Sequence, residues 1–443
     1  MDFDLDSRIL TLALARMVDA LANSFLVVVL PLYIGNVVAL PAFVGTTLTV
    51  ATVEFTVTPE LLIGVVLSLF GFLNSFGQPF TGSLSDRTGR RKAFLLLGLA
   101  LVAVGSAGYI LLRDYVSILL MRALQGVGAA FTIPATVALV NEYSASDERG
   151  GNFGLYNTFR LLGFGTGPLV AGIVVSQGPY RVAGFDVSGF DAAFLVAVVG
   201  AVLSFALVTA LIRDPDQTEA EAGDDISIQM RNPDGPGLDP VFALGLATIV
   251  MAFSLALFAP LANVINERLN QGEFLFSVQF GAAVLANVMF QFPLGQWSDR
   301  YGRRPFLLGG FVLLLPTTFA QGFVGSTPVV TLLQSVPVLD PSLLMVLVRF
   351  LQGVAIAAVF APSLALAGDL AKEGQSGSTL SLLTMGFGLG IAFGTLFSGI
   401  LVGFAFYVPF VVATAAGVGA LALVYTQVGE TVDDAVGIPA VGD

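Results

Sequence analysis

The chain contains neither cysteine nor histidine. Their absence excludes disulfides, thiolate chemistry, haem ligation through either residue, and zinc sites built on thiolate or imidazole. It also removes the side chain that ordinarily titrates near neutral pH. Any proton exchanged there must sit on a carboxylate with a raised pKa. Lysine is nearly missing: only Lys92 and Lys372 occur among 19 basic residues, against 31 acidic ones. This acidic, lysine-poor balance points to a salt-rich cytoplasm, as in halophilic archaea; high-GC codon bias produces the same trend. Charge of either sign is scarce, at 11% of 443 residues, and no basic patch is large enough for nucleic acid.

What is abundant is apolar. Hydrophobic residues make up 56% of the chain and the mean hydropathy is +0.87. Runs such as 61–75, 93–112 and 192–212 hold almost no charge. A hydrocarbon core about 30 Å thick is crossed by roughly 20 helical residues. The expected fold class is therefore an all-α polytopic membrane protein. Apolar runs between polar breaks give spans near 9–35, 60–84, 93–112, 115–140, 153–176 and 191–212. Six more lie near 241–265, 274–298, 306–326, 342–366, 379–403 and 405–427. The β-branched stretch 36–59 reads as an outer connection, with an extra helix as the alternative. MDFDLDSR at the start is acidic rather than basic, so no cleavable leader is expected.

Between the sixes lies RDPDQTEAEAGDDISIQMRNPDGPGLDP, residues 213–240, whose acids and prolines cannot build a core. The expected organisation is an N-terminal six-helix bundle (1–212), this acidic linker, and a C-terminal bundle with a short tail (241–443). With the N-terminus inside, inner segments carry twelve basic residues and outer ones only Arg113, Arg181 and Arg268. Positive charge marks the cytoplasmic side, so both termini and the linker are expected there, in a multi-pass protein of the cell membrane.

The two halves repeat. A shift of 213 superposes Asn74, Gln78, Gly82, Asp86, Arg87, Gly89, Arg90 and Arg91 on Asn287, Gln291, Gly295, Asp299, Arg300, Gly302, Arg303 and Arg304. The first four recur every fourth residue and form one helical stripe. A second shift brings RALQGV (122–127) onto RFLQGV (349–354) and Glu142 onto Asp369. Copies six spans apart keep the same direction, which makes this a parallel duplication.

With GSLSDRTGRRK between spans two and three, the chain resembles the major facilitator superfamily of secondary transporters over nearly its whole length. RALQGVGAA in the fourth span is similar to that family's second motif. GFGTGPLVAG in the fifth (Gly163, Gly167, Pro168, Gly172) resembles its third, associated with antiporters and drug exporters. In the second copy Thr395 stands where Pro168 stands in the first. The resemblance implies two pseudo-symmetric six-helix bundles and a cytoplasmic gate. One cluster would join Asp86, Arg90, Glu142 and Arg149, with Gly82 and Gly89 permitting close approach and a tight turn. The other would join Asp299, Arg303 and Asp369, with Gly295 and Gly302. Its fourth member is replaced by Ser376. Arg87, Arg91 and Lys92 read as topology signals.

Charge inside a span is costly and marks function or pairing. Five such residues stand out: Arg16, Asp19, Arg122, Arg160 and Arg349. Asp19 shares a helix face with Arg16 and Asn23, Arg122 with Gln125, and Arg160 with Asn157. Asp19, with Arg122, is the candidate proton-coupling site; the alternative is a permanent ion pair with Arg16 or Arg160. Asn23, Gln125, Asn157, Arg160, Asn263, Asn287 and Arg349 are the expected cavity residues, with Gln291, Phe253, Phe258 and Phe393 as further lining. The expected activity is proton-coupled export of an amphipathic small molecule by alternating access. Symport or facilitated diffusion of an anionic or polar metabolite, with Asp19 structural, is the competing reading. No enzymatic constellation, cofactor or metal is called for, and a monomer in the lipid bilayer is expected.

Overall fold

The computed structural model describes residues 7–50, 53–144, 149–182, 184–214, 230–232, 237–326, 328, 340–370 and 376–432. Most of the acidic linker falls outside these residues. The helices follow from lipid chemistry: with no water in the bilayer core, each backbone group must be satisfied within its own segment. The first half holds α1 (Ser7–Asn36), α2 (Pro59–Thr88), α3 (Arg91–Leu111), α4 (Tyr115–Tyr143), α5 (Arg149–Gln177) and α6 (Gly189–Leu211). Polar residues cap several starts. Thr58 accepts from Leu61 N at 3.2 Å, and Asp114 accepts from Ser117 N at 3.0 Å.

The second half repeats this with one modification. The span expected at 241–265 is broken into α7 (Pro240–Ala256), a 3-10 turn (Ala259–Leu261) and α8 (Ala262–Leu269). Pro260 lacks an amide hydrogen and its ring clashes with the carbonyl four residues back, which is where α7 ends. Then come α9 (Glu273–Tyr301), α10 (Arg303–Gln321), α11 (Pro341–Leu370), α12 (Ser376–Leu401) and α13 (Val408–Gln427). Eleven helices among the described residues are long and apolar enough to cross a membrane, one of them α7 continued through α8. The 19-residue α10 takes the remaining place, packed against α11 and α13. Among the described residues of 36–59 there is no additional helix. They hold an antiparallel hairpin of β1 (Thr47–Val50) and β2 (Val53–Thr56), and a smaller one, β3 (Tyr180–Val182) with β4 (Phe185–Val187), precedes α6.

Within each half, equivalent helices pack alike: α1 on α5, α2 on α4 and α3 on α4, against α7 on α12, α9 on α11 and α10 on α11. The halves meet along α2–α12 and α5–α9. Glycines allow this approach toward the outer ends of these helices. A Cβ on Gly64 would strike the Thr395 carbonyl, one on Gly399 the Glu60 carbonyl, and one on Gly172 the Ser277 side chain. Below this seam, Asn157 on α5 is exposed and Arg160 partly so, and among the described residues the ion pairs of the arginine clusters at the inner helix ends stay within their own half. The halves are closed at the end of the bundle that holds Asn36 and Asn263 and parted at the end that holds Asp86 and Asp299, the end the sequence expects to face the cytoplasm.

Candidate functional site

Two polar knots occupy equivalent places in the halves. In the first, Arg122 Nη1 donates to Gln125 Oε1 at 3.2 Å, and Gln125 Nε2 donates to Ser106 Oγ at 3.0 Å. Tyr109 Oη donates to the same Gln125 oxygen at 2.9 Å, and Arg122 Nη2 reaches Asn23 Oδ1 at 3.5 Å. The guanidinium lies 4.1 Å from the Phe70 ring centre. In the second, Arg349 Nη1 donates to Gln352 Oε1 at 2.5 Å and to Gln321 Oε1 at 3.5 Å. Gln352 Nε2 donates to Thr318 Oγ1 and to the Ser254 carbonyl, both at 3.2 Å. Phe258 lies 4.3 Å from this guanidinium. Each knot ties four helices of its half together, α1–α4 in the first and, with Phe280 of α9 5.7 Å from the Arg349 guanidinium, α7 and α9–α11 in the second. Arg349 is wholly buried, so in this conformation it does not line an open path.

Nearer the inner opening, Arg16 and Asp19 form an ion pair on α1, their side chains 13% and 10% exposed. Arg160 Nε donates to Asn157 Oδ1 at 2.9 Å, and Arg160 lies within electrostatic reach of Arg16 and Tyr156. Asp19 is thus held by Arg16, not by Arg160. Asn263 sits elsewhere: Pro260 and the short α8 turn it into the outer seam. There it donates to the Pro31 carbonyl at 3.1 Å and accepts from Asn36 Nδ2 at 3.1 Å. Asn287 is half-buried, with its Oδ1 unpartnered. On the neighbouring stripe, Gln78 donates to Asn74 at 3.0 Å, while Gln291 is half-buried. Phe253 is half-buried, Phe393 is at the surface, and Phe258 is fully enclosed.

The inner clusters correct the sequence expectation at one position. Arg91, expected as a topology signal, is buried and pairs with both Asp86 and Glu142, at 3.0 Å to the latter. Arg90 is the residue preceding α3 and takes no part in these pairs. In the second half Arg303 does pair, with Asp299 at 3.4 Å and with Asp369. The reason is a one-residue difference in loop length. Two residues separate α2 from α3, but only one separates α9 from α10. The structural counterpart of Arg303 is therefore Arg91. Gly89 and Gly302 adopt φ of 65° and 95° at these turns, a region open to glycine. Gly82 and Gly295 lie beside Pro134 of α4 and Ala361 of α11. The side chains of Arg149 and Ser376 fall outside the described residues.

Sequence reasoning missed a further pair. Asp214, just past α6, accepts from Lys92 N at 2.7 Å. Glu430, just past α13, accepts from Arg303 N and Arg304 N, both at 3.0 Å. Each carboxylate satisfies free amides at a helix start. Thr431 also donates to Asp369 at 2.7 Å, so the segment after α13 completes the second cluster.

The fifth-span glycines serve packing in both copies. A Cβ on Gly163 or Gly167 would strike the backbone of α1 at Met17 or Leu21; one on Gly390 or Gly394 would strike α7 at Ile249 or Phe253. Gly172 and Gly399 face the opposite half. Pro168 lies inside α5, and the replacement by Thr395 leaves this packing intact.

The family model of the Major Facilitator Superfamily matches residues 12–229 and 244–437. A stretch of 121 residues is 31% identical to Citrate exporter 1 of Aspergillus niger, covering 27% of this chain and 23% of that protein. Quinolone resistance protein NorA of Staphylococcus aureus is 22% identical over 269 residues, 59% of this chain and 65% of NorA. The chain thus spans about a quarter of the fungal protein and just under two thirds of NorA. Among solved structures, a bacterial homolog of the human lysosomal transporter Spinster, inward-facing and occupied, superposes with a TM-score of 0.72 at 14% identity. That match covers 95% of this chain and 96% of the other. A D-xylose-proton symporter gives 0.68 at 15% identity, with 96% and 99% covered. These likenesses show the fold.

Proposed function

The chain belongs to the Major Facilitator Superfamily, and we propose that it is a secondary transporter exporting an amphipathic, anionic solute by alternating access. One observation carries this reading: of the four arginines within the spans, only Arg16 has a carboxylate partner among the described residues. Arg122, Arg160 and Arg349 leave the interior net positive. Arg160 and Asn157 lie on the parted inner side, where a cytoplasmic solute would reach them. An anion held there gains a charged partner that the protein itself does not provide. Export also agrees with the electrical gradient. Moving one negative charge out of an inside-negative cell releases about 2.3 kcal/mol per 100 mV. The names of the relatives, a citrate exporter and a quinolone resistance protein, support the direction.

A second reading concerns coupling. Asp19 is the one carboxylate placed deep within a span, about 10% exposed beside Arg16. Its protonation from the inner opening would free Arg16 for the cargo, and its deprotonation would restore the pair. In the competing arrangement the pair is permanent and the potential alone drives export.

Ligand-dependent thermal stabilisation of the purified chain tests the cargo class. Amphipathic carboxylates are expected to raise the unfolding midpoint, with the effect lost in Arg160→Gln. Stabilisation by hydrophobic cations or sugars, and not by carboxylates, would refute the reading. For coupling, Asp19→Asn is expected to abolish pH-driven transport while leaving potential-driven transport; equal loss of both makes Asp19 structural.

A further inference from the structure

Arg122 and Arg349 are counterparts whose guanidinium groups are satisfied differently. In both, Nη1 donates to the glutamine one turn further along the helix. The other long edge, Nε with Nη2, is the fork that can hold one anion through two N–H donors. In the first half Asn23 takes Nη2 and only Nε is left without a partner. In the second half neither Nε nor Nη2 has a partner, and both are shut away from solvent on a side chain that is 0% exposed.

The helix packing explains the difference. Gly163 lies against the Met17 carbonyl and Gly390 against that of Ile249. Gly167 lies against the Leu21 carbonyl and Gly394 against that of Phe253. The same step along α1 and α7 carries Asn23 to Leu255, a buried side chain with no acceptor.

A guanidinium is charged near neutral pH, so the free fork is a buried charge with no counter-ion among the described residues. Phe258 at 4.3 Å and Phe280 at 5.7 Å attract that charge through their ring faces but accept little from the in-plane N–H groups. No ion pair among the described residues includes Arg349. A water on the fork would need acceptors for its own hydrogens. The amide oxygens beside the guanidinium, on Gln321 and Gln352, accept from Nη1, on the side of the group opposite the Nε–Nη2 edge. An anion needs only the donors.

We infer that the Nε–Nη2 edge of Arg349 binds one small monovalent anion, of chloride size, enclosed by α7, α9, α10 and α11. A carboxylate on the cargo shares the required chemistry. The complete burial of Arg349 favours a free ion, because a group attached to a larger molecule needs an opening. The inference does not rest on the cargo or on the direction of transport.

The test uses the full chain in detergent with sodium methanesulfonate as background salt. Chloride, bromide or acetate is substituted at constant ionic strength while thermal unfolding is followed. Chloride and bromide are expected to raise the midpoint saturably, and acetate is not. Arg349→Gln should remove the response. Leu255→Asn places an amide oxygen on the fork, as in the first half, and should raise the half-saturating halide concentration at least tenfold. Should Arg349→Gln fail to fold, Leu255→Asn decides. An equal midpoint in all salts, or an unchanged halide response in Leu255→Asn, overturns the inference. Stabilisation by acetate alone assigns the fork to a carboxylate and overturns it as well.

Discussion

Asn36 on α1 and Asn263 on α8 join the two halves at the outer face, Nδ2 to Oδ1 at 3.1 Å. The second amide arm of Asn263 reaches the Pro31 carbonyl on the same helix of the opposite half. Gly35 makes room for this clasp, since a Cβ there would overlap the Asn263 amide. The hydrogen bonds exist only while the outer seam is closed, so their removal stabilises the alternate state relative to this one.

Asn263→Ala is expected to favour outward opening by about 1.4 kcal/mol, or tenfold in population, for two hydrogen bonds of ordinary net worth. The natural absence of cysteine makes this easy to read. A single cysteine at Ser277, buried against Gly172 in the seam, should react slowly with an external thiol reagent. Its labelling should accelerate severalfold with Asn263→Ala; an unchanged rate would show that the clasp carries no weight.

At the inner face, Arg91→Gln should cost about 2 kcal/mol of stability, because it leaves Glu142 and Asp86 without their shared partner. Arg90→Gln should change stability by less than about 0.5 kcal/mol. Thermal unfolding of the two variants side by side separates them, and an equal loss would contradict the assignment of Arg91.

Glu430→Ala should destabilise by about 1 kcal/mol, the usual worth of a lost helix cap. Glu430→Gln should recover part of this, since one amide oxygen can still accept from a backbone N–H. Full recovery by alanine-like neutrality would mean that the segment after α13 only rests against α10.

Gly163→Leu and Gly390→Leu should both abolish folding or transport, as each drives a side chain into a neighbouring helix backbone. Parallel loss in the two variants is the expected result in a fluorescence-detected size-exclusion assay. Loss in Gly163→Leu alone would give the first copy a role beyond packing.

The sequence made the spans and the duplication readable because each leaves a periodic or compositional trace. Its failures are local. Shifting by 213 aligns Arg90 with Arg303, because a one-residue loop deletion is invisible among the consecutive basic residues Arg90, Arg91 and Lys92. Asn263 read as a cavity residue because the effect of Pro260 on helix phase does not show in hydropathy. Ser106, Tyr109, Thr318 and Gln321 passed as packing residues within apolar runs. Their signal was available: a shift of 212 pairs Ser106 with Thr318 and Tyr109 with Gln321, beside the repeated Arg-x-x-Gln. Glu430 was set aside with the tail because a helix cap contributed from another segment has no local signature.

Whether the interior selects negative charge is read out by transport in proteoliposomes. Purified protein is reconstituted into vesicles loaded with a radiolabelled amphipathic carboxylate, and exchange against external unlabelled compound is measured beside a size-matched quaternary ammonium cation. Exchange of the carboxylate is expected, with at least a tenfold loss in Arg160→Gln and no exchange of the cation. Exchange of the cation with none of the carboxylate, or a carboxylate flux indifferent to Arg160, would contradict that selection.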